Sequence, residues 1–464
     1  MENLKIQELY NKGNRAYWAI ADFTQDQIDI MLGKMAKIVH DHAEELGQMA
    51  YEECEMGTAD DYIGYMKIFP LCYWSYMKGK KSFGMIDDNP QTKIQTYGKA
   101  MGVVACLTPS TTNISNGFEI SMKAVKSGNA IIIAPHPRAW KASKRLAEYL
   151  QVAIKSAGGP DNLVQSIENP SLEDTTDLMA ICDVVVGTGG ASMVKAAYSS
   201  GTPAFGVGQG NVPVVVSATY PADEVLNVVK TILSDRYSGG GVGCTCPQIV
   251  FLPRSRKDEF MKLFAENGAY IVEDGEVIDR IREVVFPDGG RRINREVVGQ
   301  SAQVLAKMYG LTIPEGTNTI MLKLKDGVRA GEDVLNQEIM NPTLRYQFYD
   351  DFAKATEIAR ANLFYEGAGH STQLWSYEQK EIDLYARRIP VVRLLIRQGA
   401  IGAANITLQN GIAPSTTVGC GTWGGNSFSD NLDYTTLQNH TLVLYPLNDG
   451  SIPTAEECFA DVEI

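Results

Sequence analysis

Features that would assign the chain to a membrane or to nucleic acid are absent from the sequence. None of its 464 residues lies in a run near the roughly 20 uninterrupted apolar residues that a membrane helix needs, so we expect no membrane span. The first 18 residues are charged throughout and do not resemble a secretory signal, so we expect a cytoplasmic protein. The net charge of −13 disfavours nucleic acid, whose phosphates need clustered cations.

A disulfide framework and a metal-binding pattern are absent as well. The eight cysteines are scattered along a long chain, unlike the dense spacing of small secreted domains, so we expect most of them to be reduced and buried. The five histidines show no ligand spacing relative to these cysteines. We therefore expect no metal site.

The chain does contain a repeated alternation of short apolar runs and helix-like segments. The runs from residue 100 onwards are GVVACLTP, NAIIIAPHP, CDVVVGTGG, TPAFGVG and VPVVVS, and IVFLP, AYIVED, NTIMLKL and RIPVVRLLI follow after residue 244. Continuous apolar strands separated by helices predict doubly wound α/β units with parallel sheets. A chain of this length predicts two or three packed units, with the glycine-rich stretch 237–248 near a boundary.

The two ends of the chain predict further elements. Residues 24–54 carry apolar side chains at three- and four-residue intervals, and Thr24 with Gln27 matches the start of a capping box, so we expect a long packing helix there. The segment from Asp430, which contains NHTLVLYPL, predicts a terminal strand or arm that needs a partner sheet, for instance in another subunit.

Glycine-rich turns follow several apolar runs and mark candidate functional loops. They are GTGG at 187–190, GVGQGN at 206–211 and GGGVG at 239–243, and such turns let backbone N–H groups approach a phosphate or a reacting oxygen. None fits Gly-x-Gly-x-x-Gly at the usual spacing, and plain turns are the commoner explanation.

Cys244 is the strongest candidate for chemistry, because exposed N–H groups beside it would lower its pKa and stabilise an oxyanion. A buried core cysteine is the alternative, and composition does not separate Cys244 from Cys246. Half a metal site is disfavoured, because no second pair of soft ligands accompanies the two cysteines. His370, in a glycine-flanked turn, is a candidate base or orienting group.

Several longer stretches resemble the CoA-acylating branch of the aldehyde dehydrogenase superfamily and, within it, acylating succinate-semialdehyde dehydrogenases. They are APHPRA at 134–139, TGGASMVKAAYSSGTPAFGVGQGNVP at 188–213, Cys244 with Gln248, EIMNP at 338–342, YEGAGHST around His370 and TTVGCGTWGGNS at 416–427. With the N-terminal helix they cover nearly the whole chain.

The resemblance implies an aldehyde dehydrogenase-like fold of two doubly wound α/β domains and an oligomerisation arm. We expect a cofactor-binding domain at 1–240, with oligomerisation strands near 90–101, a catalytic domain at 241–430 and a C-terminal arm at 431–464. A homodimer or homotetramer is implied. So is a reversible two-stage reaction, in which Cys244 attacks a small aldehyde, hydride leaves to NAD or NADP, and the thioester passes its acyl group to coenzyme A.

The same resemblance implies roles for individual residues. The predicted catalytic residues are Cys244, His370, Asn113 and Thr112, and the predicted cofactor-binding residues are Pro135, His136, Pro137, Arg138, Thr188, Gly189, Gly190, Gly208, Gly210, Asn211 and Glu338. Within this set, 137–138 would lie near the adenosine ribose, 188–190 near the pyrophosphate and Glu338 on the nicotinamide ribose. An ungapped match puts Thr112 where the family has its oxyanion Asn, with Asn113 one place later, so either could donate to the oxyanion.

One substitution favours a thiol acceptor over water. Hydrolytic relatives carry a water-activating Glu where this chain has Val207, and without that base the attack of water should be slow. The flanks of Cys244 also depart from the family pattern: Ser238-Gly239-Gly240-Gly241 with an extra residue precedes it and Pro247-Gln248 follows it. Two other hypotheses stay open: a reductase that converts an acyl phosphate to a semialdehyde, and a non-catalytic relative that binds nucleotide or CoA.

Overall fold

The computed structural model describes residues 3–290, 292–406, 408–448 and 450–462. The strands are β1 (Gly84–Asn89), β2 (Ile94–Ala100), β3 (Val103–Thr108), β4 (Ala130–Pro135), β5 (Val164–Ser166), β6 (Val184–Thr188), β7 (Ala204–Val207), β8 (Val212–Val216), β9 (Pro247–Pro253), β10 (Ala269–Val272), β11 (Thr319–Lys323), β12 (Thr343–Tyr349), β13 (Gly369–Trp375), β14 (Val391–Ile396) and β15 (Gln438–Leu444). The helices are α1 (Leu4–Ala19), α2 (Gln25–Asp41), α3 (Ala43–Cys54), α4 (Ala59–Met77), α5 (Asn113–Lys126), α6 (Trp140–Ser156), α7 (Leu172–Ile181), α8 (Ala191–Tyr198), α9 (Val225–Tyr237), α10 (Lys257–Glu266), α11 (Gly275–Val285), α12 (Ala302–Tyr309), α13 (Phe352–Tyr365), α14 (Gln379–Arg388) and α15 (Ala455–Phe459).

The first α/β unit is a five-stranded parallel sheet in the order β5-β4-β3-β6-β7. Strands β3 and β4 are buried along their whole length, as their continuous apolar sequences predicted. The chain leaves β3 towards β4 and β5 and later crosses to β6 and β7 on the other side. The resulting crevice, between β3 and β6 at their carboxyl ends, is where open α/β sheets bind ligands.

The second α/β unit is a seven-stranded parallel sheet in the order β10-β11-β12-β9-β8-β13-β14. Two apolar clusters that contain residues of α11 to α13 and of α9 and α10 bury its strands. The predicted pattern of two doubly wound α/β units is thus confirmed. Strands β12 and β13 are fully buried although their sequences are largely polar, and the apolar runs did not predict them.

The two sheets meet across one short turn. Strand β7 ends the first sheet at Val207 and β8 begins the second at Val212, so residues 208–211 join them. The carboxyl edge of the first sheet therefore faces the amino ends of β8, β9, β12 and β13. The domain boundary proposed at residue 240 lies later than this turn, because β8 and α9 already belong to the second unit.

A three-stranded antiparallel sheet in the order β1-β2-β15 brings residues 84–100 against the C-terminal strand. Leu432, Tyr434 and Leu437 anchor this segment in the core of the first unit. Strand β15 itself is mostly exposed, as are Leu442 and Leu444. The strand predicted from Asp430 onwards is present, with its partner sheet in the same chain.

The N-terminal helices pack on the first unit and share its apolar core. Thr24 caps α2 as predicted, since its hydroxyl accepts from the Gln27 N–H and the Gln27 side chain accepts from the Thr24 N–H at 2.8 Å. The single helix predicted over 24–54 is two helices, α2 and α3, because the backbone leaves the helical conformation at His42.

Candidate active site

A cavity of about 310 Å³ lies where the two sheets meet. The ends of β3 and β6, the turn before β8, and the loops before β9 and β12 contribute to its wall, together with α4, α5 and residues 401–416. Hydroxyl and amide side chains form its polar lining: Thr111, Thr112, Ser115, Thr188, Gln209, Ser238, Thr245, Asn405 and Thr416. Its ionisable lining residues within the described ranges are Tyr62, Tyr65, Cys244 and Glu338.

The glycine loop that precedes Cys244 passes close to other backbone segments. Gly239, Gly240 and Gly241 have φ of 58°, 70° and 69°, which side chains rarely adopt. A Cβ on Gly240 would lie 2.6 Å from the Gly299 carbonyl oxygen. These glycines therefore serve close backbone packing, and they bring the loop to the cavity at Gly243 and Cys244.

Arg236, at the end of α9, holds the cysteine loop in place. Its guanidinium donates to the Pro247 carbonyl at 2.8 Å and the Gly241 carbonyl at 3.1 Å, on either side of Cys244. It also donates to the Ile339 carbonyl at 2.5 Å and to the Asn341 carbonyl. One fully buried side chain thus ties the nucleophile loop to the loop that carries Glu338. Nothing in the sequence of its helical segment distinguishes Arg236, so it was not predicted as a functional residue.

Cys244 combines partial exposure to the cavity with tight backbone packing. Its side chain is half-buried and packs against Val207, Val418 and Cys420. A Cβ on Gly210 would lie 2.0 Å from the Cys244 carbonyl oxygen, so only glycine fits there. Burial raises the pKa of the thiol, and the nearby Glu338 carboxylate raises it further. Cys246 is fully buried beneath the loop and does not reach the cavity lining.

Glu338, on the cavity wall, is paired with the carboxyl group of Glu366 behind it. The Gln209 amide donates to Glu338 at 3.5 Å and to Glu366 at 3.4 Å, and the Glu338 N–H donates to the Glu366 carboxylate at 2.6 Å. Burial, and then the charge of Glu366, raises the pKa of Glu338 to about 8. Glu366 was missed in the sequence, although it lies in the glycine-flanked YEGAGHST turn that drew attention to His370.

His370 is fully buried at the start of β13 and is not part of the cavity lining. Neither ring nitrogen has a hydrogen-bond partner in the part of the chain that the structure describes. Burial, and then the charge of Arg393, lowers the pKa of His370 to about 3, so the ring is neutral. It lies behind the nucleophile loop, with its Cδ2 3.4 Å from a Cβ built on Gly210.

The two candidates for the oxyanion position lie in different places. Thr112 lines the cavity, whereas Asn113 is fully buried and its amide donates to the Cys54 sulfur at 3.7 Å. The Thr112 hydroxyl donates to the Asn116 side chain. The structure therefore brings Thr112 to the site and leaves Asn113 behind the wall.

A polar face of α5 continues from Thr112 into the protein and supports the cavity wall. Asn116 donates to the Thr416 hydroxyl at 3.0 Å, and the buried Glu119 carboxylate accepts from the Thr416 N–H at 2.6 Å and from its hydroxyl. Lys123 pairs with Glu119 at 2.7 Å and also donates to the Pro414 carbonyl at 2.9 Å. This network was not predictable from the sequence, and it fixes the segment that presents Thr416 to the cavity.

The predicted nucleotide-binding residues lie at the carboxyl edge of the first sheet. The Thr188 hydroxyl is buried without a hydrogen-bond partner among the described residues, and Gly190 begins α8 without a side-chain cap. A Cβ on Gly190 would meet nothing within 4 Å. The Thr188 hydroxyl and the uncapped N–H groups at the start of α8 are hydrogen-bond donors that suit a phosphate group.

The remaining predicted cofactor residues divide into surface and buried positions. Pro135 ends β4 beside Thr108, and His136, Pro137 and Arg138 follow it on the exposed surface. Gly208 lines the cavity. Asn211 is buried, and its amide donates to the Asn336 carbonyl at 2.8 Å, so it braces the loop from outside the cavity.

Other classes of site receive no support from the described residues. Across these ranges, His, Cys, Asp and Glu form no group of three or more that could hold a metal ion. Within the same ranges, no helix has both the length and the apolar character that a membrane crossing requires.

Comparison with known proteins assigns the family. The model of the aldehyde dehydrogenase family matches residues 2–430. The chain is 39% identical over 98% of both sequences to a succinate-semialdehyde dehydrogenase (acetylating) of Clostridium kluyveri, and 31% identical over 98% of both to a sulfoacetaldehyde dehydrogenase (acylating) of Bilophila wadsworthia. A crystal structure of an acetylating aldehyde dehydrogenase from Geobacillus thermoglucosidasius superposes with a TM-score of 0.91 at 28% identity, covering 97% of this chain and 98% of that one. The predicted resemblance to the acylating branch is confirmed, and the chain belongs to the aldehyde dehydrogenase family.

Proposed function

We propose that this protein reversibly oxidises a short aldehyde to an acyl-CoA, with Cys244 as the nucleophile. The observation that carries the proposal joins Cys244 and Val207: the thiol reaches a cavity between the two sheets, and the apolar cluster on which it packs contains a buried valine where hydrolytic relatives have their base. An apolar side chain cannot activate water, so the acyl group stays available to a thiol acceptor.

The chain's own residues would divide the work as follows. Cys244 would form a carbon–sulfur bond to the aldehyde carbon, in a loop that Arg236 keeps rigid. When bound, the nicotinamide nucleotide, NAD or NADP, supplies the hydride acceptor. The free donors around Thr188 and Gly190 would hold its pyrophosphate, residues 135–138 its adenosine end and Glu338 its ribose. The thiol of coenzyme A would then displace Cys244 from the acyl group.

The cavity supports a short aldehyde with a polar tail as substrate. Its wall contains Thr112, Ser115, Thr245, Asn405 and Thr416, and Lys, Arg and His are absent from the lining that the described residues form. The Clostridium and Bilophila relatives are named for aldehydes with acidic tails. We infer a semialdehyde or another short anionic aldehyde, whose tail would be bound by hydroxyl and amide groups.

Assembly and location are further parts of the proposal. The antiparallel sheet exposes β15 with Leu442 and Leu444, and this edge pairs with no further strand among the described residues, which supports a homodimer or homotetramer joined through the arm. All eight cysteines are free, which supports a reducing compartment such as the cytoplasm.

The experiment is a panel of short aldehydes, including succinate semialdehyde, assayed for NAD(P)H formation with CoA, with orthophosphate and without an acceptor. We expect NAD(P)H to be formed only when CoA is present. Cys244→Ala should lose turnover and still bind the nucleotide. Equal rates with and without CoA would contradict the proposal, and a requirement for orthophosphate would select an acyl-phosphate reductase. No turnover with any acceptor, together with a Cys244 no more reactive than a model thiol, would indicate a non-catalytic relative.

A further inference from the structure

The proposed reaction needs a group that removes the proton from the attacking CoA thiol, and the cavity offers few candidates. Val207 cannot do so, and His370 is fully buried outside the cavity lining. Tyr62 and Tyr65 line the cavity, but burial raises the pKa of both hydroxyls, that of Tyr65 to about 12. Besides the nucleophile itself, Glu338 is then the remaining ionisable group in the described lining.

The surroundings of Glu338 hold its carboxyl group in a defined position beside the cysteine loop. The Gly210 backbone lies beside this carboxyl group and lowers its pKa, and Gly210 is also the residue that packs against the Cys244 carbonyl. Arg236 donates to the carbonyls of Ile339 and Asn341, immediately after Glu338, and the Ile339 N–H donates to the Gln248 side chain at 2.9 Å. The carboxyl group and the nucleophile are thus held by one shared framework.

We propose that the Glu338 carboxylate is the general base of the acyl-transfer half-reaction, with Glu366 as a positioning residue that acts through it. The proposal rests on the acylating function proposed above, and it gives Glu338 this role in the second half-reaction, once the nucleotide whose ribose it would hold has left. Glu338 takes the proton of the CoA S–H bond as the CoA sulfur forms a bond to the thioester carbon. The bond from that carbon to the Cys244 sulfur then breaks, and the departing thiolate takes the proton back from Glu338. No electrons are transferred, and the carboxyl group ends in its starting state.

The charges around Glu338 fit this role. Burial and the facing carboxylate of Glu366 raise its pKa to about 8, while Arg236 opposes the shift. Three further ionisable groups interact electrostatically with Glu338: Arg345, Cys244 and Cys246. A base whose pKa lies near that of a thiol and near the working pH is efficient in general base catalysis. As the pH rises through about 8, more of the carboxyl group ionises, so the rate of this step should increase and then level off.

The test isolates the acyl-transfer step from hydride transfer. The enzyme, without nucleotide, is mixed with succinyl-CoA and isotopically labelled CoA, and label exchange and the mass of acylated Cys244 are followed from pH 6 to 10. We expect the wild-type exchange rate to rise to a plateau with an inflection near pH 8. Glu338→Gln should lower the plateau by about 10²-fold or more and remove the inflection. In Glu366→Gln the inflection should move to lower pH, because the neighbouring negative charge is lost.

Controls separate this outcome from loss of structure and from failure of the proposed function. The rate of Cys244 alkylation by iodoacetamide should not fall in Glu338→Gln, and Glu338→Asp should restore part of the exchange. His370→Gln should retain the inflection. Exchange in Glu338→Gln within about threefold of wild type, with the inflection retained, would overturn the proposal. Absence of acylated Cys244 in the wild type would instead contradict the acylating function itself. If Glu338→Gln does not fold, an unmoved inflection in Glu366→Gln overturns the proposal.

Discussion

Replacing Gly210 by alanine should displace the nucleophile without touching its side chain. An alanine Cβ would lie 2.0 Å from the Cys244 carbonyl oxygen, about 1 Å closer than the 3.0 Å below which real Cβ contacts do not occur. The cysteine loop cannot yield freely, because Arg236 holds the carbonyls on both sides of Cys244. A displacement of about 1 Å at a reacting group costs on the order of 10²-fold in rate. We therefore expect Gly210→Ala to lower kcat for CoA-dependent aldehyde oxidation by about 10²-fold.

The matched control is Gly208→Ala, two residues earlier in the same turn. A Cβ on Gly208 would meet nothing within 4 Å, so the backbone need not move. Because Gly208 lines the cavity, the comparison uses the rate of Cys244 alkylation by iodoacetamide in the absence of nucleotide. This rate should change in Gly210→Ala and stay near the wild-type value in Gly208→Ala. A Gly210→Ala enzyme with kcat within about threefold of wild type would refute the packing argument, as would equal changes in the two alkylation rates.

Three other perturbations test the framework around the cavity. Arg236→Met should lower the free energy of unfolding by about 3 kcal/mol or more in urea denaturation, because it leaves several buried carbonyls without a hydrogen bond, at roughly 1–3 kcal/mol each. A loss no larger than that caused by the exposed Arg360→Met would contradict this. Thr416→Val should raise KM for the aldehyde about tenfold, because it removes the hydroxyl that is hydrogen-bonded to Glu119 and Asn116. Thr416→Ser keeps this hydroxyl and should not raise KM. Equal KM values in the two variants would argue against a role of the network. The pKa of His370 lies near 3 in the folded protein, so the free energy of unfolding should fall as the pH drops below about 6.5, where the unfolded chain takes up the proton first. His370→Gln should therefore lose less stability than wild type between pH 6.5 and 4. Identical losses in the two proteins would contradict a buried, neutral His370.

The fold could largely be predicted from the sequence where buried strands are apolar. Strands β3, β4, β6 to β11 and β14 correspond to the apolar runs. Strands β12 and β13 were not predicted, because Arg345, Gln347 and Gln373 within them are polar yet fully buried. Some of their hydrogen bonds are made to segments distant in the chain, for example from Arg345 to the Gln248 side chain at 2.8 Å. Hydropathy cannot anticipate burial that depends on such partners.

The sequence motifs of the site could be predicted, whereas the residues that hold its loops in place could not. The glycine loop marks Cys244 locally, and the resemblance to a family carried the nucleotide and substrate assignments. The contact between Glu119 and Thr416, the hydrogen bonds of Arg236 and the contact between Glu338 and Glu366 depend on segments that meet only in the folded chain. Likewise, only the three-dimensional structure separates Thr112, on the cavity wall, from its neighbour Asn113 behind it.

The central claim is that the acyl group on Cys244 passes to a thiol and not to water. The most direct measurement is the product ratio: acyl-CoA and free carboxylate formed per NAD(P)H, quantified by mass spectrometry during oxidation of a short semialdehyde at saturating CoA. Because the apolar cluster beside Cys244 contains Val207, which supplies no base for water, we predict close to one acyl-CoA per NAD(P)H and little free acid. Free carboxylate as the main product, formed at the same rate when CoA is omitted, would contradict the account.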